Sequence, residues 1–268
     1  MSEKTKDIWF PAMKYGVGCG LPSTMKKKYA FLPVIAALIL ALAATVNAGV
    51  IEEFAALERA YVPALALTNP PTKPAPQVQE SLMRLDKAWQ SFVQATASQI
   101  KSNPAFAKVV TESRQKISGA ETLVAADKRH DAHESLEYIR TAFWKVRTDM
   151  GIDYLPDRFT AFHDLMEKFA EDVSKPGSDP KKLKTALTEL SRLWSDVEKS
   201  GIDATLFKLS PERVETYAKQ VRKERDILNQ LAGLIDSGNV EALSKAAVAM
   251  KSNFAQTYFV FGDFSGLQ

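Results

Sequence analysis

Three histidines occur in the chain, and all fall between positions 130 and 163: His130, His133 and His163. The first two lie in KRHDAHESLEYIR (128–140). His130 and Glu134 are four residues apart, and so are His133 and Glu137. On a helix this places each imidazole one turn from a carboxylate, on the same face. An imidazole and a carboxylate so arranged chelate divalent cations in the cores of helical bundles. His163 and Glu167 repeat the spacing in RFTAFHDLMEKF (158–169). The candidate metal ligands are therefore His130, His133, Glu134 and Glu137, with His163 and Glu167 as a second set. The same residues have plainer roles. An exposed His–Glu pair adds only about 0.2–0.5 kcal/mol to a helix. A histidine beside Phe159, Phe162 and Met166 is more often a hydrogen-bonded core residue.

A second stripe, His133, Glu137, Arg140, Trp144 and Arg147, runs along the same helix at 4, 3, 4, 3 spacing. Arginine beside tryptophan suits a planar anion. The commoner use of such a stripe is a salt-bridged edge between packed helices. If the helix from about 156 folds back on the one ending at about 150, His163 stands level with residue 143. His133 is then ten residues away, about 15 Å at 1.5 Å per residue. Two separate sites are expected, not one.

Helices must position these groups. Val78, Leu82, Leu85, Trp89 and Phe92 recur at helical spacing, as do Ala132, Leu136, Ile139, Phe143, Val146 and Met150. Phe159, Phe162, Met166, Phe169 and Val173 do the same. No segment alternates with period two, so the fold class is all-α. Asp179-Pro180 and Ser210-Pro211 read as helix starts, and Gly151 as a left-handed helix end. NPPTKPAP (69–76) is a proline-rich connection. The predicted helices are 50–68, 77–101, 105–127, 130–150, 156–174, 180–199, 211–236 and 240–261.

An internal repeat organises them. A shift of 105 pairs Phe54 with Phe159, Leu82 with Leu187, Leu85 with Leu190 and Trp89 with Trp194. A shift of 111 then pairs Ile117 with Leu228, Phe143 with Phe254 and Gly151 with Gly262. Glu58 falls on His163, and His130 and His133 fall on Glu241 and Ser244. The architecture expected is two tandem four-helix bundles, residues 49–153 and 154–268, from a duplication.

Ahead of them lies an export signal. Lys26, Lys27 and Lys28 precede an apolar run from Tyr29 to Val46, and Val46-Asn47-Ala48 suits cleavage after Ala48. Residues 25–48 read as a signal peptide, cleaved or kept as an N-terminal anchor, and residues 1–24 as a surplus extension. The expected localisation is periplasmic or secreted. Removing the six lysines and two acids of residues 1–48 turns the formal charge from +3 to −1. That near-balance argues against a nucleic-acid partner. The single cysteine, Cys19, leaves with the same segment. Disulfide frameworks, cysteine metal sites and covalent haem attachment are then excluded.

No phosphate-cradling glycine loop, H-E-x-x-H or G-x-S-x-G is present, and no nucleophile–base pair can be placed. An exported, cysteine-free helical bundle with His and Met resembles the small periplasmic b-type cytochromes of four-helix form. It is also similar, more loosely, to periplasmic iron- or haem-handling proteins of the imelysin type. The first family holds haem between a Met early in helix one and a His in helix four. Here the predicted first helix has no Met, and His133 lies near the start of its helix. The imelysin G-x-H-x-x-E signature is absent. The resemblance therefore implies fold and compartment, and no family residue is carried across. The function expected is a non-enzymatic binding protein of the cell envelope that takes a divalent metal. The alternatives are non-covalent haem or redox carriage, and a structural or chaperone-like module that meets an unidentified protein partner.

Overall fold

The structure is a computed structural model. It describes residues 31–69 and 75–267, with side chains from residue 49 onward. The extension 1–24, the lysines of the export signal, Cys19 and most of the proline-rich connection lie outside the described residues. Among the described residues there are nine α-helices and no strand. They are α1 (Phe31–Thr68), α2 (Ala75–Ala95), α3 (Ala97–Ser102), α4 (Pro104–Ala125), α5 (Arg129–Asp149), α6 (Leu155–Ser174), α7 (Pro180–Ser200), α8 (Pro211–Ser237) and α9 (Val240–Tyr258). A short 3₁₀ turn, Phe259–Phe261, follows. No described helix is long and apolar enough to cross a membrane. Residues Asn47–Gln268 form one compact unit.

The predicted helix 77–101 is two helices. The boundary is Thr96, fully buried, whose backbone (φ −98°, ψ 16°) leaves helical geometry while its hydroxyl donates to the Phe92 carbonyl (2.7 Å). Elsewhere local chemistry sets the boundaries. Asn103 accepts hydrogen bonds from the backbone N–H of Ala105 and Phe106 and is followed by Pro104. Asp179 and Ser210 cap α7 and α8 ahead of Pro180 and Pro211. Gly151 takes φ +68°, while the Ile152 N–H reaches back to the Arg147 carbonyl (2.9 Å), the long bond of a Schellman end.

Helices α6, α7, α8 and α9 pack in a ring in which each touches its sequence neighbour and α9 returns to α6. In the first half, α4 pairs with α5 and with α2. The apolar stripes read from the sequence are the buried faces: Val78, Leu82, Leu85, Trp89 and Phe92 on α2, and Leu183, Leu187, Leu190, Trp194 and Val197 on α7. Aromatic rings fill both halves. Phe54 lies 5.3 Å from Phe143, and Phe159 lies 6.0 Å from Phe254. After α9 the chain crosses to α1, where the Asp263 N–H donates to the Arg59 carbonyl (2.7 Å).

Candidate functional site

Four helices wall a cleft of about 560 Å³. α1 brings Leu65, α5 brings His133, Glu137 and Arg140, α6 brings His163 and Glu167, and α9 brings Lys251 and Tyr258. The volume lies in the range of small-ligand sites, about 300–1,000 Å³. His130 and Glu134 also line it and are solvent-exposed.

Glu137 is the hub. Its Oε1 lies 3.5 Å from His133 Nε2, 3.6 Å from His163 Nε2 and 3.3 Å from an Arg140 terminal nitrogen. Glu167 Oε1 lies 3.6 Å from the same His163 nitrogen, and its other oxygen meets Lys251 Nζ at 2.7 Å. Burial pushes the Glu137 carboxyl up. The charge of Arg140, together with the protonated forms of His133 and His163, outweighs it and holds it at about 2.

One expectation is overturned here. The sequence separated His133 from His163 into two sites, yet both imidazoles address one carboxylate oxygen. Arg140 bonds His163 (2.7 Å) and Arg147 bonds Asp157 (2.9 Å), so α6 lies level with α5 about two to three residues nearer His133 than a simple fold-back gives. Glu137, between the two, then reaches both.

The ring nitrogens are distinguishable. His133 Nδ1 is 2.9 Å from the Leu65 carbonyl oxygen. A carbonyl only accepts, so Nδ1 carries the hydrogen, and a neutral His133 points the bare lone pair of Nε2 at Glu137. His163 is the reverse. Its Nδ1 accepts from Arg140, which only donates, so Nε2 holds the hydrogen. His163 packs on Phe254, with ring centroids 5.3 Å apart, which is the core-type role the sequence weighed for it. Among the described residues, no group of three or more His, Cys, Asp and Glu side chains stands as a ready-made metal centre.

The Arg–Trp stripe does not form one surface. Arg140 turns into the cleft and over the Tyr258 ring (5.9 Å). Arg147 is buried against Asp157 and the rings of Phe54 (4.6 Å) and Tyr154 (4.7 Å). Trp144 lines a separate open cleft of about 710 Å³ with Arg158 and Asp153. The planar-anion reading fails because both guanidinium groups are buried against partners of their own, while Trp144 is half-buried on the other cleft.

Sequence reasoning missed Glu58. This carboxylate is buried, and it accepts from the Tyr258 hydroxyl and from Tyr154 (3.4 Å). Burial raises its pKa against the lowering charges of Arg147 and Arg140. Its only prior signal was that it falls on His163 under the 105-residue shift. Lys251 and Tyr258, on the far side of the cleft, carried no signal at all. Compared with known proteins, the chain matches no family model, no curated protein and no solved structure.

Proposed function

We propose that this chain is a non-enzymatic binding protein of helical-bundle form, exported to the periplasm, whose histidine cleft takes a divalent cation. The single observation behind the cation is the pairing of His133 and Glu137. With Nδ1 committed to the Leu65 carbonyl, the Nε2 lone pair of a neutral His133 faces a carboxylate oxygen 3.5 Å away. Two acceptors so placed repel unless a cation lies between them. A proton on the imidazole is one such cation, and a metal ion is the other.

The spacing suits an ion. Ligands about 2.0–2.1 Å from a tetrahedral Zn²⁺ stand about 3.4 Å from one another. A carbonyl behind the ligating histidine is the usual outer support of such sites. His133 Nε2 and Glu137 would be the first ligands, with Glu167 joining by a side-chain rotation and water completing the shell. His163 stays a hydrogen-bond donor beside them, and His130 and Glu134 flank the mouth.

The export reading rests on Lys26–Lys28, the apolar run and the small residues before Ala48. The duplication is supported by the matching aromatic pairs Phe54–Phe143 and Phe159–Phe254 and by the two buried tryptophans.

Calorimetric titration with Zn²⁺, Co²⁺, Ni²⁺ and Cu²⁺ tests the cation. One site is expected, abolished in His133→Ala and in Glu137→Ala and retained in His130→Ala. Unchanged isotherms in the first two variants would remove the reading. A Soret band on haemin titration, without any divalent-metal isotherm, would replace it with haem carriage.

A further inference from the structure

Between α8 and α9, away from the histidine cleft, lies an acid that the binding reading does not use. Glu224 is fully buried, and Asn253 opposite it is 1 % exposed. Asn253 Nδ2 donates to Glu224 Oε2 (2.6 Å) and to the Gln220 carbonyl (2.9 Å). Both amide hydrogens are thus committed to acceptors, which fixes the orientation of the side chain. The remaining oxygens, Glu224 Oε1 and Asn253 Oδ1, are buried and meet no donor among the described residues. Two such orphan acceptors are costly in a core.

One proton resolves both. A carboxylic acid and a primary amide form a cyclic pair: the acid oxygen accepts from the amide N–H, and the acid O–H donates to the amide oxygen. Half of that ring is already present in the Nδ2–Oε2 bond. We infer that Glu224 is held as the neutral acid at neutral pH, its O–H donating to Asn253 Oδ1, so that one proton latches α8 to α9.

The surroundings agree. Burial pushes the Glu224 carboxyl up to about 8, against the hydrogen bond from Asn253 and the charge of Lys223 on the same helix. The next basic group on α8, Arg225, is held by Glu198 of α7 at 2.7 Å. The group facing Glu224 from α9 is the uncharged Asn253. That residue lies between Lys251 and Phe254, so the latch braces one wall of the histidine cleft.

The sign follows from linkage. An acid whose pKa is higher in the folded state binds its proton there while the unfolded chain has released it. Stability then falls as pH rises from the unfolded value, about 4.3, to about 8, and is constant above. Glu224→Gln keeps both bonds of the ring without a titrating group. The folding equilibrium of the variant should therefore gain on the wild type about tenfold per pH unit over that window, then hold a fixed lead.

Urea unfolding of both proteins from pH 4.5 to 9.5 reads this directly. Parallel curves across the window would overturn the latch. Infrared spectroscopy supplies a second readout that survives a poorly folding variant. The wild type should show a protonated-carboxyl stretch that titrates away near pH 8 and persists in Glu58→Gln, where the other buried glutamate is absent. Absence of that band from Glu58→Gln at pH 7 would equally overturn it.

Discussion

Arg147 grips Asp157 through two nitrogens, its Nε lying 2.9 Å from one carboxylate oxygen and 3.1 Å from the other. Both residues are buried, one in the last turn of α5 and the other in the first turn of α6. The pair closes the corner made by Gly151 and sets how far α6 slides along α5. That register is what brings His163 beside Glu137.

Removing one partner leaves a buried, uncompensated charge. Asp157→Ala is expected to cost about 3–5 kcal/mol. Urea denaturation at pH 7 measures it. A loss under about 1 kcal/mol would mean that Arg147 finds water or another acceptor when its partner is gone.

Glu137 gives a pH signature. Its carboxyl is held at about 2 in the folded chain against about 4.3 unfolded. A depressed acid contributes stability that is fully present above the unfolded value and lost as pH falls through the folded one. Glu137→Gln should be less stable than the wild type at pH 6, by roughly 1–3 kcal/mol, with the gap closing between about pH 4.3 and 2. A gap independent of pH would show that the loss is packing, not charge.

Metal affinity should carry its own pH dependence. A protonated imidazole cannot ligate, so binding should weaken progressively as the solution is made more acid. Titrations at pH 5.5, 6.5 and 7.5 read it. Equal affinity at all three would exclude His133 as a ligand.

Gly151 and Gly262, which coincide under the 111-residue shift, are needed for different reasons. Gly151 has φ +68° and open space where a Cβ would go, so Gly151→Ala pays only in backbone strain, about 1–2 kcal/mol. Gly262 has φ −85°, which any residue adopts, but its Cβ would meet Val62, Phe264 and Pro63 at 2.8–2.9 Å. Gly262→Ala should cost about 1–3 kcal/mol through displacement of the crossing segment from α1. Thermal unfolding of the two variants checks both figures. If Gly262→Ala were neutral, the segment after α9 would not be tightly seated.

Much of the secondary structure could be read from local chemistry. The spacing of Val78 to Phe92 and of Phe159 to Val173 marks the buried faces because 3.6 residues per turn translate directly into one stripe. Asp179-Pro180, Ser210-Pro211 and Gly151 end helices by bonds that span only a few residues. The boundary at Thr96 escaped because the apolar spacing runs through it without interruption and no glycine or proline marks the change of backbone geometry there. The His–Glu pairs were visible for the same reason as the stripes: partners four apart meet without help from the rest of the chain.

What the sequence by itself determined is the helical class, most helix ends and the contact of His133 with Glu137. Only the tertiary structure decided that His163 joins them, that Lys251 and Tyr258 close the cleft, and that Glu224 is buried opposite Asn253. Those relations depend on how far one helix slides against another, a quantity set by long-range packing and by the buried Arg147–Asp157 pair rather than by any local spacing.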